Sequence, residues 1–188
     1  MNTFISTLQA IAASNGKAQS LLGRSLSWFI LIMTIIVSAI VALRYFFGLS
    51  STASQESVSY LHASVFMLGM AYASHCGAHV RVDIFYRNFQ THNQAWVNLI
   101  GNLVFLLPFA GFLSFISWHW ALGALEHREG SINPGGLPFV YVLKLLVPAC
   151  GILLSIQALA DSCKHLADIT QKISNSSTLP STPTTEER

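Results

Sequence analysis

Residues 25–43 read SLSWFILIMTIIVSAIVAL, nineteen positions without an Asp, Glu, Lys or Arg. Three further charge-free runs follow: 24 residues at 57–80, 38 residues at 88–125 and 16 residues at 145–160. A helix needs about 20 mostly apolar residues to cross the hydrocarbon core of a membrane. The longest run holds one span, because two would need about 40 residues and a turn. The sequence therefore predicts four transmembrane helices, at about 26–47, 58–74, 96–118 and 137–159.

The composition indicates an all-α integral membrane protein. Of the 188 residues, 52% are hydrophobic and 10% are charged, whereas soluble domains carry about 25% charged residues. The runs do not alternate with the period of two that a membrane β-strand requires. The net charge of +2 is too small to indicate nucleic-acid binding. The composition thus argues against a soluble enzyme and against a disordered protein.

The distribution of basic residues predicts that both termini are cytoplasmic. Loops on the cytoplasmic side of a membrane carry an excess of Lys and Arg. With four spans, one basic residue, Arg128, falls on the side opposite the N-terminus. Seven fall on the N-terminal side: Lys17, Arg24, Arg81, Arg87, Lys164, Lys172 and Arg188.

The sequence divides into a membrane domain at 25–165 and two cytoplasmic ends. In the segment 1–24, Phe4, Leu8 and Ile11 share one helical face, which is typical of an interfacial helix; a frayed terminus is the alternative. From Gln171 the composition changes to Ser, Thr, Pro and Glu, and we expect residues 166–188 to form a disordered tail.

The loop between the second and third spans predicts an interfacial amphipathic helix. His79, Asp83 and Arg87 share one face, with the acid four residues before the base, while apolar residues cluster opposite. A metal site is the alternative, since His75, His79 and Asp83 are spaced four residues apart. A fourth ligand is not defined. We therefore predict no metal.

Ionisable residues within or beside membrane spans are candidates for function. Arg44 ends the first span and Glu56 precedes the second, so a short hairpin would bring them together as an ion pair. Lys144 lies about two turns into the fourth span. Its side chain can extend outward to the membrane surface, or it can contact a partner subunit.

Two histidines raise a different hypothesis, a haem held between helices. In antiparallel spans, His62 near the start of the second and His119 at the end of the third would lie at the same membrane surface. Otherwise His119 belongs, with Trp118 and Trp120, to an interfacial aromatic belt. The sequence lacks paired catalytic carboxylates, a nucleophile motif and charges near the middle of the spans, such as a solute site requires. We expect a chain that by itself neither catalyses nor transports, without a cofactor.

Taken in order, several motifs resemble the small permease subunit of TRAP transporters, the DctQ type. The resemblance covers about 25–165 and rests on the helix end at 44–48 (RYFFG), Glu56, and the loop motif at 79–83 (HVRVD). Further along it rests on Trp118, Trp120, Glu126, Glu129 and Leu137-Pro138. The sequence Cys76-Gly77-Ala78 departs from the family, where a more polar approach to His79 is expected.

The resemblance implies a bacterial inner-membrane scaffold without its own substrate site. Its partners would be a large multi-span permease subunit, which carries the substrate and sodium sites, and a periplasmic solute-binding protein that delivers an organic acid. Membrane lipid is a further expected partner. The resemblance implies that Arg44 and Glu56 hold the outer hairpin and that His79, Arg81 and Asp83 order the inner loop. Lys144 is a further candidate for a partner contact, from its position in the fourth span alone. The alternatives are a haem-binding anchor of a redox complex, using His62 and His119, and a scaffold without a transport role.

Overall fold

The structure is a computed structural model that describes residues 2–77 and 91–176. This part of the chain contains helices and no strand, which confirms the all-α prediction. A π-helical segment, Gly101–Leu106, joins the third helix to the fourth. It ends two residues before Pro108, whose backbone nitrogen has no hydrogen to donate to the helical pattern. The helices are α1 (Asn2–Phe47), α2 (Thr52–His75), α3 (Thr91–Ile100), α4 (Leu107–Glu126) and α5 (Val140–Ser176).

Three stretches of the described chain are long and apolar enough to cross a membrane. They are Ala12–Phe47, Asn93–Glu126 and Val140–Gln171. The chain is therefore a multi-pass membrane protein by length and composition. Helix α2 has 24 residues, but serines and other polar residues make it less apolar than these three. A membrane crossing by α2 and the orientation of the termini stay predictions.

Two helices are longer than the predicted spans. Helix α1 ends at Phe47 as expected, because Gly48 adopts a left-handed φ of 65°, but it begins at Asn2, so the N-terminal segment is continuous with the span. Helix α5 continues to Ser176. Residues 166–176 are thus helical, and their assignment to a disordered tail is wrong. The reason is tertiary: Ile169 is buried against Ala95 and Leu99 of α3.

Helix α5 is the centre of the bundle and packs against all the other helices. The residues that α4 buries are all small: Ala110, Ser117, Ala121 and Ala124. On α5, an added Cβ at Gly151 would lie 2.8 Å from the carbonyl oxygen of Ala110. In a membrane, small residues stabilise helix pairs by letting the backbones approach closely.

Helices α1 and α2 form an antiparallel hairpin. The His75 ring lies against Gly16, and the Tyr72 ring lies against Gly23, where an added Cβ would be 2.6 Å from the ring. No residue of α1 after Leu26 is buried. The hairpin is therefore packed tightly along residues 16–26 of α1, while the part of α1 after Leu26 leaves most of its apolar side chains exposed.

Candidate functional site

At one end of the bundle, the Glu56 carboxylate binds the loop between α4 and α5, which we call the α4–α5 loop (127–139). Its Oε1 atom accepts hydrogen bonds from Ser131 Oγ at 2.5 Å and from Asn133 Nδ2 at 3.0 Å. Its Oε2 atom accepts one from the Leu137 N–H at 2.7 Å. A single carboxylate from the start of α2 thus stabilises the loop that leads into α5.

The α4–α5 loop is shaped around this carboxylate. The Ser131 N–H donates to the Leu137 carbonyl at 3.0 Å, and the Gly136 N–H donates to the Asn133 carbonyl at 3.0 Å. An added Cβ at Gly136 would lie 2.7 Å from Glu56 Oε1. The hydrogen bonds from Ser131, Asn133 and Leu137, in that order, lower the pKa of Glu56, because they favour the ionised form.

The expected ion pair between Arg44 and Glu56 is not formed. Arg44 is exposed at the end of α1, and the ion pair found within the described residues joins Lys144 and Glu129 instead. Because α2 packs against α5 as well as α1, its first turns reach the α4–α5 loop. Donors in that loop then occupy both oxygens of Glu56.

Lys144 also contacts the α4–α5 loop. Its Nζ lies 2.5 Å from Glu129 Oε2 and 4.5 Å from the centroid of the Trp120 ring. The Lys144 side chain is 17% exposed, so its charge is partly removed from solvent and is compensated by a carboxylate and an aromatic face. Its proposed contact with a partner subunit stays a prediction.

A second polar network, absent from the sequence-based candidates, joins the N-terminal third of α1 to α5. Asn15 Nδ2 donates to Gln157 Oε1 at 2.6 Å, and Gln157 Nε2 donates to Asp161 Oδ2 at 2.9 Å. Gln157 is fully buried in the centre of the bundle. The i,i+4 spacing of Gln157 and Asp161 at the end of an apolar run could have indicated this pair, but Asn15 lies 142 residues before Gln157 in the sequence.

Two adjoining cavities meet this network at Asp161. One, of about 340 Å³, is lined by residues of α2, α3, the π segment and α5, including Asn98, Asn102 and His165. The other, of about 280 Å³, lies against the small residues Ala12, Ala13, Gly16 and Ala160. His75, Asp161 and Lys164 line both cavities.

Other predicted sites receive no support from the described geometry. His79, Arg81, Asp83 and the predicted amphipathic helix lie outside the described residues. His62 and His119 are both exposed, and their helices, α2 and α4, pack on α5 without an extensive contact between themselves. A haem held between these two histidines is not supported. Within residues 2–77 and 91–176, no three His, Cys, Asp or Glu side chains form a group suited to a metal.

Comparison with protein families gives a match over residues 33–168 to the family described as "Tripartite ATP-independent periplasmic transporters, DctQ component". The matched range includes all of α2, α3 and α4 and most of α5, with the Glu56 and Lys144 contacts. Neither curated proteins nor solved structures gave a match.

Proposed function

The chain belongs to the DctQ family, the small permease subunits of tripartite ATP-independent periplasmic (TRAP) transporters, and we propose that it acts as a scaffold for the large permease subunit. The observation that carries this role is the packing of the bundle. Within the described residues, the buried polar side chains are uncharged: Gln19, Ser117, Gln157 and Ser162. A solute and ion site would require converging polar groups near the middle of the membrane.

The proposal includes four membrane crossings with both termini in the cytoplasm. Helix α2 is the crossing added to the three stretches that are apolar enough to span. At 1.5 Å per residue, a helix of 24 residues is about 36 Å long, enough to cross the hydrocarbon core. Helix α2 also packs against α1 and α5, which are both apolar enough to span. The excess of basic residues on the N-terminal side supports the orientation.

Two clusters would then shape the surfaces offered to the partner. On the periplasmic side, Glu56 and Lys144 hold the α4–α5 loop, while Arg44 is exposed at the end of α1. On the cytoplasmic side, His79, Arg81 and Asp83 would order the loop after α2 or contact the large subunit. This assignment for the second cluster rests on the family resemblance of the motif at 79–83.

The proposed system imports an organic acid or a similar solute across the bacterial inner membrane. The large subunit would carry the substrate and sodium sites, and a periplasmic binding protein would deliver the solute. In this arrangement the small subunit touches neither solute nor ion. Its packed core and its exposed apolar α1 suit a support embedded in the membrane.

Co-purification tests the proposal directly. The chain, tagged at its C-terminus, is extracted from native membranes in mild detergent, and the proteins that accompany it are identified by mass spectrometry. We expect a large multi-span membrane protein in a fixed ratio and a colourless sample. A sample with a haem absorption band and redox subunits would refute the transporter role, and recovery of the chain without a partner would refute a stable scaffold.

A double variant tests the loop motif. Asp83→Ala with Arg81→Ala should lower solute uptake because the complex with the large subunit becomes less stable. Solute binding by the separate periplasmic protein should be unchanged, which provides the internal control. Full uptake by a stable complex would show that these side chains do not contribute to assembly.

A further inference from the structure

The two cavities around Asp161 combine opposite charges in a way that the scaffold role does not use. Asp161, Lys164 and His75 line both cavities. Asp161 forms no ion pair with Lys164 or His75, because the ion pair found in the described part of the chain joins Lys144 and Glu129. Among the residues that the structure describes, the lining of the cavities thus includes a carboxylate and an ammonium group that are not paired with each other.

The Asp161 carboxylate is held in place from within the bundle. Gln157, fully buried, donates to Asp161 Oδ2 at 2.9 Å and accepts from Asn15 at 2.6 Å. Within residues 2–77 and 91–176, no hydrogen bond to the other carboxylate oxygen is found, and we assign that oxygen to a donor outside the network. Lys164 is exposed at the rim of the cavities, where its flexible ammonium group can reach an anion.

With the fourth span ending at Leu159 as the sequence predicts, we place the cavities at the headgroup layer of the membrane. Lys164 is five residues, about 7.5 Å, beyond the predicted end of the fourth span at Leu159. The smaller cavity is bounded on one side by Ala12, Ala13 and Gly16, a wall without polar side chains. A polar ligand here would thus have an apolar surface beside it, leading toward the hydrocarbon.

We propose that these cavities bind the headgroup of a zwitterionic phospholipid with a primary ammonium group, the phosphoethanolamine type. The lipid ammonium group donates to Asp161, and the phosphate accepts hydrogen bonds from Lys164 and His75. The glycerol and the start of the acyl chains lie along the wall of small residues. A bound lipid of this kind fastens α1, α2 and α5 together at the membrane surface, whether or not a transporter partner is present.

Lipid binding is measured on the full-length chain, purified in detergent and stripped of lipid. Short-chain phosphatidylethanolamine, phosphatidylglycerol and phosphatidylcholine are titrated separately, with native mass spectrometry and the thermal unfolding midpoint as readouts. We expect one phosphatidylethanolamine per chain, bound in preference to the other two. Phosphatidylglycerol lacks the ammonium group, and the ammonium group of phosphatidylcholine has no hydrogen to donate. Free O-phosphoethanolamine should bind far more weakly, because it lacks the lipid portion.

Variants then test the roles of Lys164 and Asp161 in binding the phosphate and the ammonium group of the lipid. Lys164→Gln should weaken binding of phosphatidylethanolamine about tenfold, equivalent to about 1.4 kcal/mol. Asp161→Asn, which keeps an oxygen for Gln157, should remove the preference over phosphatidylglycerol. Lys17→Gln is the matched control, since Lys17 is an exposed lysine next to Gly16 that does not line either cavity.

Four results would overturn the proposal. They are an unchanged affinity in Lys164→Gln, equal binding of the three lipids by the unmodified chain, binding of free O-phosphoethanolamine as tight as that of the lipid, and no lipid bound at all. The third result would indicate a site for a soluble compound, and the fourth would indicate that protein fills the cavities.

Discussion

The close approach of α4 and α5 at Gly151 leads to a quantitative prediction. An alanine Cβ at this position would lie 2.8 Å from the Ala110 carbonyl oxygen and 2.9 Å from the Ser114 backbone nitrogen, and would also meet Ser114 Oγ. Ordinary contacts of a Cβ begin at 3.4 Å. Two of the three atoms belong to the backbone, so the helices themselves would have to separate by about half an ångström.

Such overpacking costs about 1–3 kcal/mol. At 1.4 kcal/mol for each factor of ten, this strain alone corresponds to a shift of the unfolding equilibrium of about 5- to 140-fold toward the unfolded state. Replacing glycine by alanine within a helix also gains about 1 kcal/mol from helix propensity. The strain must therefore be measured against a second glycine substitution that gains the same propensity without the contact.

Gly111→Ala on α4 is this control, because an added Cβ there meets no atom within 4 Å. Unfolding of both full-length variants in mixed micelles, by titration with dodecyl sulfate and circular dichroism, gives the two free energies. We expect Gly151→Ala to be about 1–3 kcal/mol less stable than Gly111→Ala. Adding Ser114→Ala should recover little of this loss. Equal stability of the two glycine variants would refute the close backbone contact.

The remaining predictions concern three polar contacts. The lowered pKa of Glu56 means that its contribution to stability is present above the ordinary carboxyl pKa and is lost as the pH falls through the lowered value. Thermal unfolding of Glu56→Gln should lack this acid-dependent loss, and an equal loss in both proteins would contradict the assignment. Lys144→Met should cost about 1–2 kcal/mol through its ion pair and aromatic contact, and a double-mutant cycle with Glu129→Gln should show coupling rather than additivity. Asn15→Ala removes a hydrogen bond to Gln157 worth about 1 kcal/mol; faster hydrogen exchange in the turns of α1 around Asn15 checks this, and unchanged exchange there would argue against it.

Some features of this protein follow from the sequence because their causes are local. Apolar, charge-free runs long enough to cross a membrane predict helices, since only helices and closed barrels satisfy the backbone hydrogen bonds in lipid. Gly48 ends α1 at Phe47 because glycine adopts positive φ without strain. The ordered motifs between residues 25 and 165 also sufficed for the family, which the match over 33–168 confirms.

Contacts between residues distant in sequence depend on the tertiary structure. Glu56 was expected to bind Arg44, its neighbour across a short hairpin, but α2 packs on α5 and brings the carboxylate to Ser131 and Leu137. The continuation of α5 past 166 likewise depends on the burial of Ile169 against α3.

The physical reason is that the free energy of transferring a segment from water depends on its own residues, whereas the partner of a polar group depends on how the helices pack. Local composition determines whether a segment can leave water, because each residue carries its own transfer free energy. Which donor a buried or half-buried group then meets depends on how the helices pack. Asn15 and Gln157, which are 142 residues apart in the sequence, are joined by a hydrogen bond that only the folded bundle determines.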